Sequence, residues 1–310
     1  MNIKDISPKF RTERQVKAVT GFSLKQFSIV LPIFEQHLAT QKEADKVNKI
    51  KPNNGQKGTL ITATDKLLFV LYYLKCYPTF DQLGFTFDMS GSSAHTWLSQ
   101  LMPTFIRTMA DFNVLPKTTI ETVENMQEAF KGIDTLIIDV TERAIQRSQD
   151  YDTQEEHFSG KKRRHTIKNT IIASLDFLVL YVGCSFSGKN HDYGMFKKEF
   201  TTGLNWFASF NVLVDLGYQG FDKDYLTKNT LIPHKKPKKS KNNPNPQLTQ
   251  EQKNENREMS KKRVIVENVI AGIKRLRCVS DRYRNHRPEL KDLFILLAAG
   301  IWNFNITYRN

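Results

Sequence analysis

The first third of the chain repeats apolar residues at the spacing of α-helices. They recur every three or four positions in segments 15–38 and 62–77, and Thr64 and Asp65 are suited to begin the second of these helices. Residues 51–59 (KPNNGQKGT) are rich in turn formers and predict a connector between the two. The pattern therefore predicts an all-α N-terminal region.

A different pattern follows Pro78 and predicts a helix-turn-helix over residues 79–110. A short helix and a tight turn precede a longer helix, which Ser90 or Ser92 is suited to cap. Ser93, His95 and Thr96 then face outward, where a recognition helix meets the base edges of DNA. An ordinary helical hairpin has the same spacing, so the pattern alone leaves both interpretations open.

Beyond Leu115 the chain changes to short β-branched runs bounded by turn residues. We expect strands within residues 133–142, 166–176, 177–185, 211–220 and 229–233. The first three follow one another closely, as in an antiparallel meander. Asp192 is suited to cap a helix before the fourth, a long helix spans about 255–278, and an apolar helix ends the chain. The predicted fold class is α/β, a mixed sheet flanked by helices, with a helical DNA-binding domain at 1–117 and the α/β domain at 118–310.

Charge adds a partner to this picture. The chain has 46 Lys and Arg against 32 Asp and Glu, a net charge of +14, which is typical of proteins that bind nucleic acid. Residues 234–287 hold 16 basic and 5 acidic residues, and a second cluster spans 161–168. The candidate phosphate-binding residues of that cluster are Lys161, Lys162, Arg163, Arg164 and Lys168. Solvated surface is the alternative for each cluster, and the composition of residues 234–247 predicts a mobile loop.

Several classes of protein are excluded. The three cysteines, Cys76, Cys184 and Cys278, form no CxxC pair, which excludes zinc fingers and disulfide scaffolds and favours a reducing, cytoplasmic setting. No P-loop motif is present. The most apolar run, residues 293–304, has 12 residues and is too short to span a bilayer, so we expect a buried helix.

Two aspartates occupy equivalent places in the predicted sheet. Asp139 follows the apolar strand residues 135–138, and Asp215 follows the apolar run 212–214. A carboxylate at the end of a buried strand is costly unless a partner compensates its charge, and Mg²⁺ prefers such hard oxygen ligands. A helix or turn cap is the alternative role for each aspartate.

A third acid lies on the long helix. Val266, Val269 and Ile273 belong to an apolar stripe that must face the sheet, and Glu267 borders this stripe on the same face as Arg263. Glu267 is the only acidic residue between Glu258 and Asp281. It is either an ion-pair partner of Arg263 at four residues' spacing or a metal-binding carboxylate beside phosphate-binding cations.

The order of Asp139, Asp215 and Glu267 along the chain resembles that of a known family. This family comprises the DDE-type transposases of bacterial insertion sequences and the Harbinger-like endonucleases related to them. The segment Asp139–Glu142 resembles their Asp-x-Thr-Glu motif, Gly188–Asp192 their Gly-x-x-His-Asp turn, and Asp215–Gly220 the motif of their second aspartate. The ending Ile301–Asn305 also matches. The spacing from Arg263 to Lys274 matches too, but Ser260 stands where the family pattern has Tyr.

The resemblance implies an RNase H-like catalytic domain with Asp139, Asp215 and Glu267 as catalytic and metal-binding residues. It implies two Mg²⁺ ions, replaceable by Mn²⁺, that serve cleavage at terminal inverted repeats and strand transfer into target DNA. Arg263, Lys274 and the basic cluster would hold the DNA end. Glu142, His165 and His191 are possible accessory residues, for which structural roles stay open. A nucleoid-associated homo-oligomer on DNA is expected.

Two other functions fit the same residues. A DNA-binding regulator derived from a transposase would use the helix-turn-helix beside an inactive catalytic domain, although an intact triad argues against this. A structure-selective nuclease would share the catalytic domain, but it needs no base-reading helix.

Overall fold

The computed structural model describes residues 1–47, 59–239, 244–285, 287 and 289–309. Its helices are α1 (Ile3–Ile6), α2 (Glu13–Thr20), α3 (Leu24–Val47), α4 (Ala63–Cys76), α5 (Phe80–Thr86), α6 (Gly91–Asp111), α7 (Val123–Ala129), α8 (Tyr151–His157), α9 (Asp192–Glu199), α10 (Phe221–Asp224), α11 (Gln250–Ile273), α12 (Arg277–Ser280) and α13 (Glu289–Thr307). Its strands are β1 (Thr135–Ala144), β2 (Phe158–Ser159), β3 (Arg164–Ser174), β4 (Val179–Val182), β5 (Phe186–Ser187), β6 (Phe207–Leu213) and β7 (Thr227–Leu231).

The chain forms two compact units. The first comprises residues 1–115, 273–281 and 293–310, and the second comprises 116–272 and 282–292. The first unit thus includes C-terminal segments that the sequence pattern assigned to the α/β domain. The boundary after residue 117 between a DNA-binding domain and an α/β domain stays a prediction.

The first unit is helical, as predicted, and contains the helix-turn-helix. Helices α5 and α6 pack against each other, α6 packs on α4, and the Ser90 side chain caps α6 by accepting from Ser93 N–H at 3.1 Å. The turn depends on Gly84, because a Cβ there would lie 2.4 Å from the Met89 carbonyl oxygen. A larger residue at this position would therefore force the two helices apart.

The helices of the first unit differ from the sequence prediction in two places. The segment predicted as one helix over 15–38 divides into α2 and α3 at Gly21, whose φ of 82° ends the first helix in the left-handed conformation. Helix α4 begins after Thr62 rather than at Thr64, because Thr62 and Asp65 form a reciprocal capping box.

The second unit is built on a mixed sheet with the order β2-β3-β1-β6-β7, and β4 and β5 also pair with β3. Strands β1, β3 and β4 form the predicted antiparallel meander, while β6 and β7 run parallel to β1. Helix α8 was not predicted. The short strands β2 and β5 were not predicted either, because a strand of two residues is too short to show an alternating pattern in the sequence. The predicted mixed α/β fold is confirmed.

Helices cover the sheet and complete its core. Aromatic side chains of α9, β6 and α10 pack together, with the rings of Phe196 and Phe207 5.6 Å apart. Helix α11 begins at Gln250, earlier than predicted, because Thr249 caps it by accepting from Gln252 N–H at 3.2 Å, and it ends at Ile273. Among the described residues no helix is both long and apolar enough to cross a membrane.

Candidate active site

Two aspartates lie next to each other on neighbouring parallel strands. The expectation that Asp139 ends its strand is wrong, because β1 pairs with β3 as far as Ala144 and Asp139 lies in its middle. Only Asp215 lies beyond the end of its strand, β6. Strands β1 and β6 pair in register up to Ile137 and Leu213. Asp139 and Asp215 each follow two residues later, so both lie on one face of the sheet just beyond the last register pair. Because neighbouring strands are about 4.8 Å apart, the two carboxylates are brought side by side.

Asp139 is the more enclosed of the two. Its Oδ1 accepts from the Val140 N–H at 2.8 Å, and Asp215 Oδ1 accepts from the Leu216 N–H at 2.7 Å. Burial raises the pKa of Asp139 to about 6; the charge of Asp215 also raises it, whereas the Val140 hydrogen bond and the charge of Arg263 lower it. The Asp139 carboxylate therefore lacks much of the stabilisation that water or a cation would give it.

Helix α11 adds the third carboxylate and a cation. Val266 and Val269 are fully buried, which fixes the rotation of the helix in the unit. Arg263 Nη1 lies 3.0 Å from Asp215 Oδ1, and its Nη2 lies 3.7 Å from Glu267 Oε1. Asp139, Asp215 and Glu267, which we call the carboxylate site, therefore all interact electrostatically with one guanidinium.

Both alternative roles considered from the sequence are also present. Asp215 caps the 3₁₀ turn Leu216–Tyr218, and Glu267 pairs with Arg263 at four residues' spacing. Within the described ranges, no three acidic, histidine or cysteine side chains are grouped closely enough to hold a metal ion. The guanidinium between Asp215 and Glu267 occupies the place where a bound cation would compensate their charge.

The basic cluster forms an exposed β-hairpin. Strands β2 and β3 pair through Ser159 and Arg164, and the residues at the tip of the hairpin are exposed. We call Lys161, Lys162, Arg163 and Arg164 the basic hairpin. Lys168 differs from them: its ammonium donates to Asp192 Oδ1 and to the Asn190 carbonyl, each at 2.8 Å, and its side chain is 12% exposed. Lys168 thus holds α9 to the sheet, and its ammonium is engaged there rather than presented to DNA.

The possible accessory residues lie in different surroundings. Glu142 lies on the sheet face opposite to Asp139, because the two are three positions apart in β1, and it accepts from Thr166 Oγ1 at 2.5 Å. The His165 ring packs edge-on to Phe158 at 5.8 Å. His191 is exposed at the N-cap of α9 and makes no capping hydrogen bond with its side chain. None of these positions supports a direct role beside Asp139.

The proposed base-reading residues lie near the start of α6. Ser93 and Thr96 are exposed. The His95 ring is half-buried and packs edge-on to Phe80, with centroids 4.9 Å apart. His95 therefore helps to hold α5 against α6, while Ser93 and Thr96 present an open polar surface.

The remaining candidates lie within α11 or in the chain on either side of it. Lys274 follows the end of the helix and belongs to the first unit, while Ser260, which replaces the family Tyr, is exposed. In the predicted loop 234–247, Lys235, Lys236 and residues 238–239 are exposed without helix or strand structure. Residues 240–243, including Lys241, lie outside the described residues, and the predicted mobility stays a prediction.

Two sets of residues escaped the sequence prediction. Arg143, on the same face of β1 as Asp139, donates to Asn169 Oδ1 at 2.9 Å, and Ser185 Oγ donates to Asp292 Oδ1 at 2.6 Å in the same buried network. The signal for this network in the sequence was a charged residue, Arg143, two positions after Thr141. The second is Tyr218, a fully buried tyrosine three residues after Asp215.

Comparisons with known proteins identify the family of the chain. Residues 138–303 match the family model for DDE superfamily endonuclease, and residues 59–111 match the model for the helix-turn-helix of DDE superfamily endonuclease. The chain is 28% identical over 298 residues to a protein of Microchaete diplosiphon described as "Probable transposase for insertion sequence element IS702", with 96% of each chain covered. No solved structure shows a significant match. By its sheet, its carboxylates and the family match over more than half of its length, the chain belongs to the DDE superfamily endonucleases.

Proposed function

We propose that the chain is a DNA transposase that cuts DNA at the terminal inverted repeats of its own element and joins the ends to target DNA. The observation that carries the proposal is the convergence of Asp139, Asp215 and Glu267 on the Arg263 guanidinium, beside the parallel pair of strands β1 and β6. The relative of Microchaete diplosiphon, described as a probable transposase, supports strand transfer as the activity.

The oxygen chemistry of the carboxylate site fits divalent metal ions, although the three carboxylates would have to draw closer than they lie in the described structure to share them. Three carboxylates supply hard oxygen ligands, and the low stabilisation of Asp139 as an anion favours a cation beside it. Asp139, Asp215 and Glu267 would hold a pair of Mg²⁺ ions, with Mn²⁺ as a substitute. When bound, such a pair supplies an activated water or 3′-hydroxyl and stabilises the leaving oxygen of a phosphodiester displacement.

The protein's own groups position the DNA around this site. Arg263, which pairs with Asp215 and Glu267, would be available to bind a phosphate oxygen if metal ions compensated these two carboxylates. The basic hairpin projects four cations from the edge of the sheet, where they bind phosphates without reading sequence. Ser93 and Thr96 on α6 supply contacts to base edges that select the element end.

Cleavage of DNA from the ends of the element tests this function. The purified protein is mixed with a linear DNA that carries the sequences flanking its reading frame, in Mg²⁺, Mn²⁺, Ca²⁺ or EDTA. We expect cuts at the element boundaries and joined products in Mg²⁺ or Mn²⁺, little cleavage in Ca²⁺, whose shell is larger and looser, and none in EDTA. Sequence-specific binding with no cleavage in any metal would instead identify a DNA-binding regulator.

A further inference from the structure

A buried tyrosine beside the carboxylate site has a hydroxyl group with no hydrogen-bond partner. The Tyr218 side chain is 2% exposed, and its Oη makes no hydrogen bond in the part of the chain that the structure describes. A buried donor without an acceptor is rare in native proteins and calls for a functional or solvent partner. The hydroxyl is therefore a buried donor for which a partner must be sought.

Neighbouring tyrosines in the same aromatic core behave differently. Tyr193 donates to Asp224 Oδ2 at 2.5 Å, and Tyr225 donates to the Phe200 carbonyl. These hydroxyls are satisfied although their rings pack in the same core as that of Tyr218, so aromatic packing alone does not explain an unpartnered hydroxyl.

The fold fixes Tyr218 in position relative to Asp215. The Tyr218 N–H donates to the Asp215 carbonyl at 3.0 Å within the 3₁₀ turn. Its ring packs on Tyr193 and Phe196 of α9, with centroids 5.4 and 5.9 Å apart. Burial, followed by the charges of Asp139 and other nearby carboxylates, raises the pKa of Tyr218 well above its usual value, so the hydroxyl stays a neutral donor among anions.

Among the carboxylates near this hydroxyl, Asp139 is the best acceptor. Asp215 is already paired with Arg263, and Asp192 with Lys168. Of the nearby charges, that of Asp139 acts most strongly on Tyr218. Glu199 is the competing acceptor, since within the described ranges its Oε2 is also buried without a hydrogen-bond partner.

We infer that Tyr218 is a positioning residue of the carboxylate site, whose hydroxyl donates to Asp139 through one water molecule and orients this carboxylate toward a bound metal ion. The inference rests on the proposed function, because it assigns Asp139 as a metal ligand. Partners behind a ligand that fix its orientation typically change metal affinity or activity by roughly 10- to 100-fold when they are removed.

The test compares Tyr218→Phe with Tyr225→Phe in the full-length protein. Mn²⁺ affinity is measured from the electron paramagnetic resonance signal of the free ion, and thermal stability is measured in EDTA. We expect Tyr218→Phe to weaken Mn²⁺ binding by roughly 10- to 100-fold with little change in melting temperature, because the hydroxyl makes no direct hydrogen bond to any described residue. Tyr225→Phe should lower the melting temperature and leave Mn²⁺ affinity unchanged, since it removes a satisfied hydrogen bond remote from Asp139.

Kinetics separate positioning from DNA binding. Tyr218 is buried and cannot touch DNA, so Tyr218→Phe should lower kcat for cleavage and leave KM for the DNA unchanged. Unchanged Mn²⁺ affinity and kcat would overturn the inference and assign the hydroxyl to Glu199, while wild-type activity would leave the proposed function intact. If the wild type itself binds no Mn²⁺, the proposed function fails and the inference fails with it.

Discussion

Removing the charge of Asp139 should stabilise the metal-free protein. Burial raises the pKa of this carboxyl from 3.8 to about 6, and one pKa unit corresponds to about 1.4 kcal/mol. At neutral pH the ionised carboxylate therefore costs the fold up to about 3 kcal/mol relative to the unfolded chain. Asp139→Asn keeps the shape and an oxygen that can accept from the Val140 N–H, so we expect it to recover about 1–3 kcal/mol.

The stabilisation by Asp139→Asn should depend on pH in a definite direction. A carboxyl whose pKa is raised on folding makes the folded protein less stable as the pH rises from the unfolded pKa, near 4, through the folded pKa, near 6. The advantage of Asp139→Asn should be full above pH 7 and should shrink toward zero as the pH falls to about 4. Adding Mg²⁺ should reverse the order, because the wild type gains a ligand that the variant binds poorly.

Urea unfolding in EDTA, followed by circular dichroism from about pH 4.5 to about pH 8, measures the difference across this window. Asp176→Asn is the matched control, since it removes the same charge from an exposed turn after β3, and it should change stability little at any pH. An Asp139→Asn variant that is less stable than the wild type above about pH 7, or an advantage that does not vary with pH, would refute the assignment of a poorly stabilised buried carboxylate.

Three further predictions concern the cations and the recognition helix. Arg263→Gln should increase the rise in melting temperature that Mg²⁺ produces, because no guanidinium then competes with the metal for Asp215 and Glu267. The variant should also cleave DNA more slowly. An unchanged or smaller rise in melting temperature would contradict the idea that Arg263 and metal ions compete for these carboxylates. Ser93→Ala and Thr96→Ala should each weaken binding to the element end by about 1–3 kcal/mol if each side chain reads one base, without affecting random DNA, and equal losses on both would remove their assignment as base readers. Changing the four described lysines of segment 235–239 to Ser should flatten the salt dependence of DNA binding by about 0.9 in slope for each phosphate that is no longer neutralised, whereas an unchanged slope would show that these lysines only solvate the segment.

The sequence predicted the sheet and its carboxylates because both leave periodic signals. A run of apolar residues before Asp139 or Asp215 identifies a buried strand, and the stripe containing Val266 and Val269 gives the rotation of α11. The run shows where β6 ends but not where β1 ends, because β1 continues beyond Asp139 to Ala144. These signals are local, and parallel pairing of β1 with β6 then places the two aspartates just beyond the last paired residues of these two strands.

The sequence could not predict which polar side chains pair across the fold. Lys168 belongs to a run of exposed cations in the sequence, yet β3 turns it inward to Asp192. His95 alternates with exposed residues but packs on Phe80. Nothing local to Tyr218 distinguishes it from Tyr225; only tertiary packing decides that, among the described residues, one hydroxyl finds a carbonyl and the other does not.

The most direct test of the account is the cleavage rate of Glu267→Gln on element-end DNA in Mg²⁺, beside Asp139→Asn and the double variant. Glu267 is 58% exposed, so the substitution should leave the fold intact. If the carboxylates act as one site, each single variant should lose roughly three orders of magnitude or more in rate, and the double variant should be hardly worse than either. Near-normal cleavage by Glu267→Gln, or cleavage of element ends by the wild type in EDTA, would contradict it.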